Sequence, residues 1–508
     1  MYNAYITRIK NLHKHPNADK LQIGECFGNE IIVSMEYENN LLGIYFPSDG
    51  QLSVEFAEAN NLLRKKDEEG NNIGGYMDPD KRNVTAIRLR GEKSDGLFLP
   101  LKALESFGDI TTLNEGDRIS NFNGHEICCK YVPRRNHRSG GTSNGNKTRK
   151  KRVNVAPLFV EHADTEQLAY NLGVFKPGDE IEITLKMHGT SQRTAYLPVF
   201  KGYDDSRACK IGNALRRMAY RFMDKESEFE YSHDGKAIYD WGYVSGTRRT
   251  VLENYDGGYY GSNEFREAHS KFFEGKLWKG EEIFYEVVGF THTGAPIMSI
   301  ADNKKLNDKE FIKQYGKTTV FSYGCDPDPT TVTCVGKDVI SINGVNIPSY
   351  NFVHTELQPQ SDIYVYRMTM TNEDGDVVEY TPDFMRYRCE QIGVKCVPVM
   401  WKGTIPPQKY VVSGKTEQGD DFTFNTDEMY EKPGDWVKDI AEQYYDGPDP
   451  IGKTHVREGV VVRIINRPKF CAYKHKNFSF KVLEGICKAE AETPDIEEEE
   501  DVINELSQ

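Results

Sequence analysis

Lys186 opens the run Lys186-Met187-His188-Gly189-Thr190-Ser191, and three further chemically loaded segments follow far downstream: Tyr285-Glu286-Val287-Val288-Gly289, Glu458-Gly459-Val460-Val461-Val462-Arg463 and Lys474-His475-Lys476. A lysine in a K-x-x-G turn, two apolar strands each carrying one glutamate, and a basic strand are the residue types that lysine–nucleotide chemistry requires. To attack the α-phosphate of a nucleoside triphosphate, a lysine has to be neutral. An exposed lysine titrates at about pH 10, so its surroundings must disfavour the ammonium form. Desolvation and neighbouring cations do this, and Lys474 and Lys476 supply the cations. The same lysines neutralise phosphate charge, while Glu286 and Glu458 offer oxygen ligands to ribose hydroxyls and to a hydrated Mg²⁺. Gly189 lets the backbone after the nucleophile come close to a nucleotide. Each piece alone has an ordinary explanation: a surface lysine, a glutamate at a strand end, a solvated basic strand. Their order in one chain is what carries the reading.

With these residues in place, the sequence resembles the covalent nucleotidyltransferase superfamily and, within it, the ATP-dependent RNA ligases. The resemblance places motif I at residues 186–191, motif III at 284–289, motif IV at 458–463 and motif V at 473–476. It implies catalytic roles for Lys186, Glu286, Glu458, Lys474 and Lys476. It implies nucleotide contacts for Gly189, Ser191, Arg193, Arg248 and Tyr366, and metal contacts for Glu286 and Glu458. Motif Ia falls on Val244-Ser245-Gly246-Thr247-Arg248-Arg249, with Arg248 preferred over Arg249. Motif IIIa falls on residues 363–367, where Tyr366 either stacks on adenine or is a core tyrosine of an alternating strand. DNA ligases and capping guanylyltransferases usually carry aspartate where this chain has His188, and a C-terminal OB domain. Only about thirty residues follow Lys476 here, and their end is strongly acidic, which argues against both.

The extra domain is expected in front. Alternating strands at residues 5–9, 21–26, 31–34, 41–46 and 85–89, separated by turn clusters, read as a small β-barrel. The runs His15-Pro16-Asn17-Ala18-Asp19-Lys20-Leu21 and Ile87-Arg88-Leu89-Arg90-Gly91-Glu92-Lys93-Ser94-Asp95-Gly96-Leu97 resemble the OB-fold RNA-binding module of some tRNA synthetases. An OB module ahead of a ligase domain is similar to the RNA ligase 5 group. Arg82, Arg88, Arg90 and Lys93 offer a basic face for nucleic acid, against the alternative of ordinary solvated charges.

Residues 130–152 contain nine basic and no acidic side chains, Arg134 and Arg135 among them. They read as a flexible basic linker, spanning roughly 25 Å by random-coil scaling, that contacts phosphates, serves as a nuclear localisation signal, or is simply solvated. The chain as a whole is acidic at −14, yet residues 489–508 hold nine acidic and no basic side chains, so the rest stands at −5 and RNA is not excluded as a partner. That tail reads as disordered, either competing with RNA for basic surfaces or acting as a solubilising appendage. Residues 206–226 read as an amphipathic helix with Arg207, Lys210, Arg216, Arg217 and Arg221 on its polar side. Residues 326–361 and 421–449 read as insertions, and Thr165 or Asp164 as the cap of a helix ahead of Lys186.

No apolar stretch approaches twenty residues, no signal peptide opens the chain, and the ten cysteines show no paired C-x-x-C spacing. A soluble, cytoplasmic protein with reduced thiols, no structural zinc and no membrane contact is expected. The fold class expected is α+β: a β-barrel of OB type at 1–129, the linker at 130–152, a nucleotidyltransferase domain of antiparallel sheets and helices (an ATP-grasp-like adenylyltransferase) at 153–488, and the tail at 489–508. The activity expected is a monomeric, ATP- and Mg²⁺- or Mn²⁺-dependent RNA ligase of RNA repair, joining a 3′-OH to a 5′-phosphate, for instance in a nicked duplex. The rivals are a DNA ligase or capping-type guanylyltransferase, and a non-catalytic RNA-binding protein.

Overall fold

The computed structural model describes residues 2–66, 72–131, 154–162, 165–223, 231–248, 250–252, 255, 263–289, 291, 297, 361–406, 432–447, 449–451 and 456–489, with a few short stretches between 300 and 425. The architecture is α+β and almost wholly antiparallel. Two sheets dominate the second part of the chain. In the first, Glu180–Leu185 lies between Gly459–Ile464 and Val399–Thr404, and Gly459–Ile464 continues to Cys471–Lys476. In the second, Thr190–Tyr203 pairs with both Ala237–Gly246 and Glu281–Val288, and the latter pairs with Asp362–Thr371.

Alternation of the side chains that enter the cores explains both sheets. Along Glu180–Leu185, Ile181, Ile183 and Leu185 are buried; Ile181 and Ile183 enter one core with Val460, Val462 and Ile464. Along Glu281–Val288, Ile283, Tyr285 and Val287 enter a second core with Ile363, Val365 and Met368. Because successive strand side chains point to opposite faces, Thr184, Val461 and Lys474 are left in register on the other side of the first sheet, and Ser191, Glu286 and Tyr364 on the second. These two rows are chemistry-bearing, and the apolar rows behind them hold them in place.

The helix Pro433–Glu442 packs Val437 and Ala441 onto the first core, beside Trp436 and Ile440. This part of the expected 421–449 insertion therefore covers a sheet face. Within the 326–361 insertion, Val332–Gly336, Val339–Ile342 and Val345–Pro348 form a three-stranded meander. No helix follows Thr165: Glu166–Gln167 pairs parallel to Cys471–Lys476, and two short 3₁₀ turns lead to Lys176. Asp164 lies outside the described residues.

The N-terminal strands fall close to expectation, at Ala4–Arg8, Leu21–Cys26, Asn29–Ser34, Leu42–Phe46 and Ala86–Leu89. Among the described residues they pair as open sheets and hairpins and do not close into one barrel. One reason is local. After Ile9 the chain passes into Lys10–Lys14, where Asn11 takes a left-handed φ of 54° and the pairing slips, so the continuation joins a different sheet. The sheets rest on the second part of the chain: Tyr170 stacks on Tyr5 at 4.5 Å, and Lys481 reaches Asp95 at 2.6 Å. Lys130 belongs to the strand Cys128–Lys130, whereas Arg134, Arg135 and the remainder of the linker lie outside the described residues, as do residues 490–508. Among the described residues, the cysteines are free and no helix is long and apolar enough to cross a membrane.

Candidate active site

The segment Lys186-Met187-His188-Gly189 is the crossing from one sheet to the other. Glu180–Leu185 ends the first sheet and Thr190–Tyr203 begins the second, so the lysine sits at the mouth of the cleft between them. Lys186 donates its backbone N–H to the Gly459 carbonyl at 3.0 Å, which ties the crossing to the strand after Glu458. Gly189 is required by close approach to protein: a Cβ there would lie 2.3 Å from the Val287 carbonyl oxygen and 2.7 Å from Val288 Cγ1. Gly459 is required in two ways, since its φ is +146° and a Cβ would meet the His475 carbonyl at 2.1 Å.

Glu458 is the electrostatic centre. Its side chain is 2% exposed and lies 2.6 Å from Lys186 Nζ. Lys476 Nζ is 3.4 Å from the same oxygen, and His188 Nδ1 donates to the other at 3.1 Å. Burial alone would raise the carboxyl pKa, but the Lys186 and Lys476 ammonium groups and the His188 hydrogen bond together hold it well below the usual carboxylate range. The His188 ring packs edge-on against Phe480 at 4.7 Å, which fixes the imidazole where the sequence had offered only a departure from a familiar pattern. Lys476 also pairs with Glu484 at 2.8 Å, so it turns toward the Phe478–Ala489 helix. His475, between the two lysines, stacks on Tyr445 and is pushed by burial down to about 3, hence neutral.

The cleft walls hold Lys186, Ser191, Arg248, Glu286, Tyr366 and Lys474 together. Tyr366 and Ser191 hydroxyls are 3.1 Å apart. Arg193 is not on that wall: it is buried, donates to Glu282 at 2.8 Å and to the Thr247 carbonyl at 3.0 Å, and lies over the Phe159 ring. It thereby holds the Thr247-Arg248 segment through the Thr247 carbonyl. Arg249 lies outside the described residues.

Sequence reasoning passed over several cleft residues. Arg386, from the helix Pro382–Ile392, makes a two-pronged contact with Glu182 at 3.0 and 2.7 Å, and Arg463 donates to the Tyr380 carbonyl at 3.0 Å. His162 accepts from Arg367 at 2.7 Å and lies near Tyr366, with Phe470 beside it. Only the alternation that points Glu182 and Arg463 the same way as Thr184 and Val461 was a usable signal. The contribution of the helix arginine was not readable without the fold.

The two N-terminal runs singled out by sequence meet each other. His15 Nε2 is 3.2 Å from the Leu89 carbonyl, and Asn17 exchanges hydrogen bonds with Arg90 at 2.9 and 3.0 Å. The Ala86–Leu89 and Glu92–Asp95 hairpin places Arg88 and Lys93 over Phe478, 5.6 and 5.5 Å from the ring centroid. The hairpin is thus docked on the start of the Phe478–Ala489 helix. Arg82 is spent locally, donating to the Leu52, Pro79 and Asp80 carbonyls.

No family model and no curated protein matches the sequence. Among solved structures, the chain is similar to a Naegleria gruberi RNA ligase with PPi, at 14% identity and a TM-score of 0.46, covering 96% of this chain and 99% of that one. It is also similar to a point mutant of the Naegleria gruberi RNA ligase with ATP and Mn, at 14% identity and a TM-score of 0.47, covering 94% and 98%.

Proposed function

We propose that the protein is an ATP-dependent RNA ligase acting through a lysyl-AMP intermediate on Lys186. The observation that carries this reading is the position of Lys186: at the crossing between the sheets, 2.6 Å from a buried glutamate, facing a cleft that also holds Lys474, Glu286, Arg248 and Tyr366.

In the first step, the Lys186 ammonium, paired with Glu458 at rest, loses a proton to solvent; neutral Nζ attacks the α-phosphorus of ATP and sheds a second proton, a P–N bond forming as the α–β P–O bond breaks and pyrophosphate leaves. In the second, an RNA 5′-phosphate oxygen attacks the same phosphorus and the P–N bond breaks. In the third, an RNA 3′-hydroxyl attacks the 5′-phosphate and AMP leaves. Positioning and charge neutralisation dominate such transfers. Glu458, with its lowered pKa, is too weak a base to retain a proton from Lys186, so its role is to aim Nζ. Lys474 neutralises phosphate charge from the face of the first sheet, Ser191 and Tyr366 border the base and ribose, and Arg248 contacts a phosphate.

An all-carboxylate donor pair fits a hard divalent cation, Mg²⁺ or Mn²⁺, better than a soft one. Glu286 is the half-buried carboxylate on the cleft wall and Glu458 the ionised one behind Lys186, so these two would hold it. When bound, it would supply charge neutralisation at the phosphates and compete with Lys186 for Glu458. The N-terminal sheets, read as an OB-type module of residues 1–129, hold RNA through Arg88 and Arg90, with Arg134 and Arg135 of the 130–152 linker contributing further phosphate contacts to the nucleotidyltransferase domain of residues 153–488.

Incubation with α-labelled ATP or GTP, followed by gel separation and peptide mapping, tests the reading. Label from ATP on Lys186, absent in Lys186→Ala, supports it. Label from GTP moves the protein to the capping type, and no label from either leaves an RNA-binding protein. A folded Lys186→Ala chain that still takes label refutes the assignment.

A further inference from the structure

The helix Arg207–Phe222 is attached to the protein by the wrong side for an amphipathic element. Asn213 is its buried residue, donating to the Ser232 carbonyl at 2.8 Å, and Cys209 and Arg216 reach Ser232 from the same edge. The apolar residues Ile211, Leu215, Met218 and Phe222 recur at i, i+4, i+7 and i+11, which is one stripe of a helix, and they are 62, 63, 58 and 86% exposed. The expected amphipathic helix at 206–226 is found at Arg207–Phe222 with Arg207, Lys210, Arg216, Arg217 and Arg221 exposed, but its apolar stripe faces out as well. The cause is the capping network at its start, where Ser206 caps the helix and Asp205 and Asp234 hold the flanking chain, fixing the polar edge inward. Beside the stripe, Lys210, Arg217 and Arg221 form a second line at i, i+7 and i+11, with Arg217 also donating to the Tyr231 hydroxyl at 3.1 Å, and residues 207–222 contain no acidic side chain.

A patch of this kind marks a docking surface. Its cover has to be acidic and apolar together. RNA offers phosphates but nothing to cover four large apolar side chains, and a second copy of the helix would set one basic line against another. The chain itself holds a fitting segment. The nineteen residues after the Phe478–Ala489 helix contain Glu497-Glu498-Glu499-Glu500-Asp501, with Ile496, Ile503 and Leu506 at i, i+7 and i+10, the spacing of one helical face. Nineteen residues reach up to about 60 Å when extended, at roughly 3.3 Å each, which spans a domain. We propose that the acidic C-terminal tail, residues 490–508, docks on the Arg207–Phe222 helix of its own chain, its carboxylates facing Lys210, Arg217 and Arg221 and its apolar residues covering the Ile211, Leu215, Met218 and Phe222 stripe. Tethering makes the contact intramolecular, at an effective concentration on the order of millimolar. High salt weakens it, and occupied helix arginines are withheld from nucleic acid.

Carbodiimide coupling on the full-length protein tests this without reference to any ligase activity. Lys210 is the one lysine of the helix, and zero-length coupling joins it only to a carboxylate in contact with it. The expected product is a cross-link between Lys210 and residues 495–501 within single chains, as judged by mixing ¹⁴N and ¹⁵N protein. It should fall at least tenfold in the Leu215→Ser/Phe222→Ser double variant, whose exposed positions leave folding intact, as near-ultraviolet circular dichroism will verify. Hydrogen exchange of residues 207–222 should rise at least fivefold when Glu497, Glu498, Glu499 and Glu500 are all replaced by glutamine. Cross-links that ignore the double variant, or that join only differently labelled chains, overturn the proposal. So does sedimentation of the full-length protein with phosphatidylserine-containing vesicles at 0.15 M salt, since the stripe would then be a membrane contact.

Discussion

Replacing Glu458 by glutamine keeps the shape of the side chain and removes its charge from the midst of Lys186, Lys476 and His188. At 2.6 Å the Lys186 contact alone is a gross attraction of about 6 kcal/mol at an effective dielectric constant of about 20. Desolvation of a 2% exposed carboxylate takes back several kcal/mol of that. Breaking one partner of a buried pair typically costs about 3–5 kcal/mol because the other charge is stranded. Lys186 is 21% exposed and regains some water, so the lower end, about 3 kcal/mol, is expected at neutral pH. The pH dependence is the sharper test. Glu458 has a folded-state pKa well below its unfolded value, so its contribution is fully present above the unfolded pKa of about 4.3 and is lost as pH falls through the folded value. Glutamine does not titrate. Urea unfolding of both proteins, followed by tryptophan fluorescence from pH 3 to 8, should therefore give a constant gap above about pH 5 that narrows steadily in acid. Self-adenylylation of the Glu458→Gln protein should fall at least about a hundredfold, the scale for removing one positioned charge. A gap near zero at pH 7, or one that does not narrow in acid, would refute the view of Glu458 as an ionised hub.

Three other expectations follow from the same geometry. Gly189→Ala forces a Cβ to within 2.3 Å of the Val287 carbonyl, so a loss of about 1–3 kcal/mol in thermal unfolding and a drop of about a hundredfold in adenylylation are expected, because a shift of about 1 Å in the crossing misplaces Lys186; a variant with native melting and labelling would show that the crossing is not fixed by this contact. Replacing Arg88 and Arg90 by alanine should weaken RNA binding uniformly across sequences and reduce the slope of log K against log salt by about two, one per phosphate contact, as read by fluorescence anisotropy; an unchanged slope would remove the hairpin from the RNA interface. On nicked duplexes with single ribonucleotides at either terminus, sealing should require ribose at the 3′-OH strand and tolerate DNA at the 5′-phosphate strand, since a 2′-hydroxyl contact is what distinguishes RNA locally; equal sealing of an all-deoxy 3′ strand would move the protein to the DNA ligase reading.

The sequence by itself determined the residues and the strands that carry them. Apolar runs next to one glutamate made Glu281–Val288 and Gly459–Ile464 recognisable, and period-two alternation did so for residues 363–367 within Asp362–Thr371, because a strand with one face in a core has to alternate. The same rule placed the N-terminal strands within a residue or two. Lys186, Glu286, Glu458 and Lys474 stood out together, because each alone has an ordinary structural explanation and only their order in one chain does not. What only the tertiary structure decided is which of these groups meet. Glu458 lies 2.6 Å from a lysine 272 positions earlier only because the crossing after Glu180–Leu185 hydrogen-bonds to the start of Gly459–Ile464. Lys476 points to Glu484 and Glu458 while Lys474 stays on the cleft wall, a distinction absent from the K-x-K pattern. Arg193, adjacent to the motif, shares the Ser191–Glu286 face but is taken up there by Glu282, away from the cleft lining. The open pairing of the N-terminal sheets and the outward apolar stripe of Arg207–Phe222 were equally out of reach. Strand partners and the attached side of a helix are set by long-range contacts, such as Asn213 with Ser232, that leave no periodic trace in the chain.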